Sequence, residues 1–464
     1  MSSIKKEFLW GILIVLLVGS FVQASKKHAA VPAFVGAEGA GAMARGGRGG
    51  AVLFVTTLSD YDSSKNESVI PGSLRAACQA QGARTVVFRV SGIIALKSPL
   101  YIRNPFITIA GQSAPGDGIC LKNHSLLISD THDVIVRYLR CRPGDELRLK
   151  HDAITVSGSH NVIIDHCSSS WSTDEVLTVT GPRLYDVTVQ WCFITEGLNQ
   201  SVHPKGAHGY GSLIRADGNV SFHHNLYANN LTRCPRPGTY GKEPGIILDF
   251  RNNVIYNWGT FAGYTADDPA RINYVANYIK AGPSTRHPQL VFGIGGPDTL
   301  LFVDGNILEG NDQANEDNWN FVKAESNYKG EYRTRNKVDK PFPVAQTKTD
   351  TAQTAYENVL KDAGATLPKR DFVDQRIVRQ IQNGKGKIID SQKDVGGWPT
   401  YRSNTPPLDS DLDGMPDKWE QQNRLNPHKA SDGNQDNDGD GYTNIEEYLN
   451  KTNPNYKDQQ VYIW

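Results

Sequence analysis

Cysteine is scarce in this chain: six in 464 residues, at positions 78, 120, 141, 167, 192 and 234, with no C-x-x-C pair. That spacing argues against a structural zinc site, and a chain this long can build a core without a disulfide scaffold. Net charge is absent, because 49 Lys and Arg balance 49 Asp and Glu. The overall basic character of a nucleic-acid binder is therefore missing, and no nucleic-acid partner is expected. Long apolar runs are lacking beyond the first 24 residues, so no later stretch reads as a membrane span. A glycine-rich segment does occur, GAEGAGAMARGGRGG at residues 36–50, but no strand precedes it and no G-K-S/T follows. It reads as close-packed turns capping a first coil, not as a phosphate loop.

The N-terminus holds what the rest lacks. Lys5 and Lys6 precede the apolar run FLWGILIVLLVGSFV, and Val22-Gln23-Ala24 stands before Ser25. The run is short for a span and the small Ala24 suits cleavage, so residues 1–24 read as a secretory signal. The protein is expected to be exported, extracellular or periplasmic, with no membrane partner after cleavage. Charge is also uneven: between Asp409 and Glu447, eleven acids face three Lys or Arg. The rest of the chain holds a positive surplus, which favours a polyanionic partner.

Most of the length is a repeat. Six-residue segments FITIAG, VIVRYL, VIIDHC, VTVQWC, VSFHHN, LDFRNN, INYVAN and LFVDGN end at residues 111, 139, 167, 192, 225, 253, 277 and 306. The steps between those ends are 28, 28, 25, 33, 28, 24 and 29 residues. Each segment alternates apolar and variable positions, as a strand with one buried face does. A period in the twenties fits a solenoid whose coils bury their faces on one another. The asparagines at 225, 253, 277 and 306 are expected to stack as a ladder of side-chain amides, and Cys167 and Cys192 to stack in the core. Leucine-rich spacing is absent, so the fold expected is all-β, a right-handed parallel β-helix. Residues 71–79 read as an amphipathic cap helix, and residues 354–364 and 372–381 as helices lying across the solenoid flank. Residues 399–408 link to a tail.

The stretch at residues 150–180, KHDAITVSGSHNVIIDHCSSSWSTDEVLTVT, sets acids before two short strands: Asp152 before AITV, and Asp174 and Glu175 before VLTV. In stacked coils about 4.8 Å apart, Asp152 and Asp174 would lie side by side. Carboxylates that close need a proton or a cation between them, and calcium is the natural ion. The longest step of the repeat carries a loop with His203, Lys205 and His208, and one coil further LTRCPRPG brings Arg233 and Arg236. Acids, a lysine and arginines on consecutive coils suit an anionic substrate held partly through metal.

The tail reads DSDLDGMPDKWE at residues 409–420 and DNDGDGYTNIEE at residues 436–447. Asp409, Asp411, Asp413, Asp417 and Glu420 fall at positions 1, 3, 5, 9 and 12 of a calcium loop, with Gly414 at position 6. Asp436, Asp438, Asp440, Asn444 and Glu447, with Gly441, repeat the pattern. The expected organisation is a signal at residues 1–24, a β-helix domain at 25–400 and a small α-helical, EF-hand-like calcium module at 401–464.

Over roughly residues 32–400 the chain resembles the pectate lyases of polysaccharide lyase family 1. The resemblance rests on PGSLRAA followed by VVFRVSGII, on DAITV, NVIIDHCSSSW and DEVLTV, and on the R-x-P of RCPRP. It implies calcium-dependent β-elimination of polygalacturonate, an acidic plant-type polysaccharide, and a parallel β-helix; the exported protein is expected to be a monomer. It also implies that Asp152 and Asp174 bind calcium, that Arg233 is the base, and that Asp165 and His166 are supporting structure. The chain departs from the family at four places. Thr178 and Lys150 stand where further acids are usual, with Glu175 the compensating acid. The family's substrate lysine would align near Asn199, leaving Lys205 as the replacement. Its second arginine would fall at Gly238, leaving Arg236. Two other functions suit a β-helix: galacturonan hydrolysis by clustered aspartates, which needs no arginine base, and a non-catalytic calcium-binding surface protein that binds carbohydrate.

Overall fold

The computed structural model describes residues 31–241 and 245–458, so the proposed signal at residues 1–24 lies outside the described residues. The eight repeat segments all fall in one ten-stranded parallel sheet that begins with Ala51–Val55 and Arg84–Phe88 and ends with Thr299–Asp304. Short turns lead from it to a nine-stranded sheet and then to a six-stranded one, and every ladder in the three is parallel. This is a parallel β-helix.

Its interior follows from the two-residue alternation. Val162 and Ile164 point inward, fully buried, and by register they stack on Val134 and Val136 below and on Val187 and Val189 above. One residue past each strand the chain adopts a left-handed conformation, at Tyr138, His166, Trp191, His224, Asn252 and Ala276 (φ 49 to 56°). That kink turns the next side chain inward, which is why Leu139, Cys167, Cys192, Asn225, Asn253 and Asn277 share one column. The kinked residues face outward and stack, with ring centroids 4.9 Å apart for Tyr138–His166 and 4.3 Å for Trp191–His224. All six cysteines are free thiols, and the Cys167 N–H lies 3.4 Å from Cys192 Sγ.

The asparagine ladder forms as expected. The Asn225 amide donates to Asn253 Oδ1 (3.0 Å), Asn253 to Asn277 (3.2 Å) and Asn277 to Asn306 (2.8 Å). Asn318, from a 3-10 turn beyond the repeat, caps the row at 3.0 Å. Each oxygen also accepts a backbone N–H from the neighbouring coil, so the column satisfies turn amides that no strand can reach.

The helices Ala352–Asp362 and Phe372–Gln382 cover the outside of the nine-stranded sheet, where Val359, Val373 and Ile377 pack on Phe193, Leu226 and Val254. Buried Arg142 pairs with Asp371 and with Asp374 (2.7 Å), fastening this return segment to the solenoid. The helix Leu74–Gln79 is the expected cap, held by Ser73 at its N-terminus and by the buried pair Arg75–Asp60 (2.7 Å).

The glycine-rich segment behaves differently from a first-coil cap. It runs across the outer face of the ten-stranded sheet, crossing coil after coil: Gly41 N donates to Thr188 Oγ1 (2.8 Å) and Gly47 N to Thr108 Oγ1 (2.9 Å). A Cβ at Gly41 or Gly47 would lie 2.1 Å from the carbonyl oxygen of Val162 or Arg84. Glycine is needed here for close backbone approach.

The tail folds onto the same face nearer the N-terminal coils. Met415, Ile445 and Leu449 pack on Val87 and Ala110, and Arg48 pairs with Glu446 at 2.9 Å. Its helices are short, Asp417–Gln422 and Asn444–Asn450, and each follows or closes an acidic loop. No helix leads into the first loop. Among the described residues, no helix is long and apolar enough to cross a membrane.

Candidate active site

The six-stranded sheet carries the acids. Ile154 pairs with Leu177, so two residues earlier Asp152 comes level with Glu175. Glu175 bridges to Tyr210, and Tyr210 to Thr232, giving one row across four coils. Asp152 is thus neighboured by Glu175 instead of by Asp174, which sits one residue before the row. Asp152 and Glu175 each stand two residues before their paired strands, whereas Asp174 stands three before. All three carboxylates still converge, with ligand oxygens within 4.8 Å of one another.

The crowding appears in their acidities. Burial and the nearby Asp174 push Asp152 up to about 6, against the hydrogen bonds it accepts from Thr155 Oγ1 (2.9 Å) and Glu175 N (3.2 Å). Burial and then Asp152 and Asp174 push Glu175 up to about 8, although Arg233 opposes this. Asp152 and Glu175, both disfavoured as full charges and converging with Asp174, make a cation site in physical terms. The donor set is all oxygen, which fits calcium. Thr178 lies level with Thr155 and adds no charge. Lys150 places its ammonium 3.1 Å from Asp174 Oδ2, a tethered cation at the rim of the cluster.

Arg233 is brought to this cluster by the LTRCPRPG coil. Its backbone is left-handed (φ 62°), and Nη1 bonds Glu175. Nε donates to Tyr264 Oη (3.2 Å), and the guanidinium lies 4.1 Å above the Tyr210 ring. Burial lowers its affinity for a proton, but Tyr264 and Glu175 outweigh that and hold it above the ordinary arginine value. Arg236 is instead engaged by Asp268 (3.0 Å), which Arg215 also approaches (3.2 Å). Lys205 is exposed on its loop and, among the described residues, makes no ion pair with the three acids.

The loop's two histidines go further in than its lysine. His203 Nε2 lies 3.6 Å and His208 Nε2 3.7 Å from Asp174, with ring centroids 3.3 Å apart. Tyr210 and Tyr264 were not among the residues singled out by sequence reasoning. Tyr210 had a signal, since it directly follows the histidine loop; Tyr264 had none, because it arrives from a later coil. In the tail, Asp411, Asp413 and Glu420 converge with Asp432, and Asp440 and Glu447 with Asp458, while Asp436 and Asp438 also meet Asp440. Asp417 turns away to cap Ser410 (2.7 Å), and Asp409 pairs with Arg89 (3.2 Å). The Asn444 amide donates to Asp432 O (2.8 Å).

No family model matches the chain. Among curated proteins, a probable pectate lyase C from Neosartorya fischeri is 35% identical over 443 residues, covering 94% of this chain and 98% of the relative. The protein of that name from Aspergillus flavus is 35% identical over 430 residues, covering 92% and 95%. Among solved structures, Jun a 1, the major allergen from cedar pollen, aligns with a TM-score of 0.50 at 19% identity, covering 71% of this chain and 92% of that one. This last likeness carries the fold.

Proposed function

The chain belongs to the pectate lyase family, and on that premise we propose that it cleaves polygalacturonate by β-elimination at the cluster of Asp152, Asp174, Glu175 and Arg233. The observation that carries the reading is Arg233 bonded to the edge of three converging acids, two of them buried. Asp152, Asp174 and Glu175 would hold one calcium ion, with Lys150 standing in for charge that a further ion would bring. Calcium, when bound, neutralises the galacturonate carboxylate and so acidifies the neighbouring C5 proton.

The remaining work falls to side chains. The substrate carboxylate competes with Glu175 for Arg233, and Tyr210 and Tyr264 keep the guanidinium in place as that partner changes. Tyr264 and Glu175 hold Arg233 protonated before substrate binds. Once Glu175 is drawn away, Arg233 gives that proton to solvent and the neutral guanidine takes the C5 proton; the C4–O bond breaks, a C4–C5 double bond forms, and the departing oxygen picks up a proton from solvent. Lys205, free on its loop, supplies a charged donor to the polymer. Arg236, tied to Asp268, suits a neighbouring carboxylate better than the reacting sugar. The N-terminal signal supports export, where such a polymer is met.

Incubation with polygalacturonate should give an ultraviolet-absorbing unsaturated product that disappears with chelator and returns with calcium. New reducing ends without that absorbance would mean hydrolysis and would overturn the reading.

A further inference from the structure

The tail buries acids that have no partner. Glu420 is fully buried and both its carboxylate oxygens lack a hydrogen bond; Asp413 Oδ2 and Asp432 Oδ1, each in a residue only 4% exposed, lack one too. Both oxygens of Asp411 are in the same condition. Four carboxylates sharing one buried space without a counter-charge would repel strongly and lose their hydration. Asp432 belongs to neither twelve-residue loop. It reaches the first because Gly433 passes close, its Cβ position only 2.6 Å from Asp413 Oδ2. The second loop repeats the arrangement. Glu447 is 1% exposed with an unpartnered Oε1, and Asp458 brings an unpartnered Oδ2 from eleven residues beyond it. The Asp458 backbone N–H holds it there by donating to Asp440 Oδ2 (3.1 Å).

We propose that the tail carries two calcium sites, each closed by an aspartate outside its loop, Asp432 for the first and Asp458 for the second, and that the first fastens the tail to the solenoid. The proposal rests on the calcium reading of the two loops and extends it. An all-oxygen set with a buried, doubly unpartnered Glu420 suits a hard cation taking that glutamate through both oxygens. The fastening runs through Asp409, at the head of the first loop. Its Oδ2 takes Arg89 of the solenoid (3.2 Å) and Gly414 N (3.2 Å), while its Oδ1 is buried and unpartnered. Gly414 has no room for a side chain, since a Cβ would meet Ile445 at 2.7 Å and Val52 of the first strand at 3.0 Å. Ordering the loop therefore orders the surface that packs on strands Ala51–Val55 and Arg84–Phe88.

The test is calcium titration by calorimetry into untagged full-length protein stripped with chelator, comparing Glu420→Gln, Asp432→Asn and Asp458→Asn. Each variant should weaken one class of site by roughly 10-fold or more, with circular dichroism in calcium unchanged. If all three variants bind as wild type does, the loops hold no calcium and the underlying reading falls. If Glu420→Gln weakens binding while Asp432→Asn and Asp458→Asn do not, only the closure by outside aspartates falls. Hydrogen exchange tests the fastening: removing calcium should speed exchange in residues 51–55 and 84–88. Arg89→Met, which leaves every loop acid in place, should do the same with calcium present. Unchanged exchange in both would overturn the fastening.

Discussion

Arg233 is held by a left-handed backbone, a tyrosine ring beneath it and an acid at its tip. Such a side chain has little freedom to be replaced. Arg233→Lys keeps the charge but loses the planar fork, so turnover should fall about 10²- to 10⁴-fold while KM changes little. Steady-state kinetics on polygalacturonate would check this; a mutant with near-normal turnover and a raised KM would make Arg233 a clamp instead of a base. Asp174→Ala should behave differently, because it strips one ligand from the acids and frees Lys150. Its activity should recover in part as calcium is raised. At this scale the sequence located the acids and Arg233 but misjudged the neighbour of Asp152. The offset is nonetheless present in the sequence itself: Asp152 directly precedes AITV and Glu175 directly precedes VLTV, so laying one strand on the other pairs Asp152 with Glu175 and sets Asp174 one residue back. Lys205 is the replacement the sequence offers for a missing lysine, yet from the same loop it is His203 and His208 that approach the acids.

Elements in this fold are joined less by their own strands than by columns that cross them. Asn253 shows the economy of the ladder: its oxygen accepts from Asn225 N and Asn225 Nδ2, and its amide reaches Phe222 O and Asn277. Asn253→Ala leaves those buried groups without partners, at about 1–3 kcal/mol each, so a loss of several kcal/mol should appear in urea unfolding. A second column is electrostatic. Fully buried Asp165 is pushed up by burial, but His166 and Arg137 (2.7 Å) more than offset this and hold it well below the ordinary aspartate value. A carboxyl depressed in the folded state contributes stability above its unfolded value near 4, and that contribution is lost as pH falls below it. Wild type should therefore weaken steeply below about pH 4, whereas Asp165→Asn should be weaker at pH 7 and flatter in acid. The asparagine column was legible in the sequence, because one residue type recurs at the repeat interval; the electrostatic one was not, because Arg137, Asp165 and Gln190 fill its successive places. Nor was the path of residues 36–50. Glycine signals close approach without naming what is approached, and the strands it crosses lie up to about 180 residues away.

The whole molecule separates its two acidic centres onto different faces. The candidate active site lies on the six-stranded sheet, and the tail covers the outer face of the ten-stranded sheet. A truncation can therefore distinguish them, provided it is placed with care. Residues 401–404 belong to the solenoid: Tyr401 Oη donates to Asp371 (2.7 Å), Arg402 N to Asp117 (2.9 Å) and Asn404 N to Pro115 O (3.1 Å). Ending the chain after Thr405 keeps all three contacts. It removes the cover from Val52, Val87 and Ala110 and the acidic partners of Arg48 and Arg89. A buried valine is worth about 1.5–3 kcal/mol, so the shortened protein should unfold at clearly lower urea or temperature. Its turnover on polygalacturonate, measured where it remains folded, should stay within about threefold of the full chain, since every contact of Arg233 and the three acids lies before residue 265. Its calcium demand should change in kind as well. The part that protects against unfolding should vanish with the tail, and the part that supports catalysis should persist. Loss of turnover in a shortened protein that still shows the native circular dichroism would mean that the covered sheet transmits order across the coils to the acids opposite.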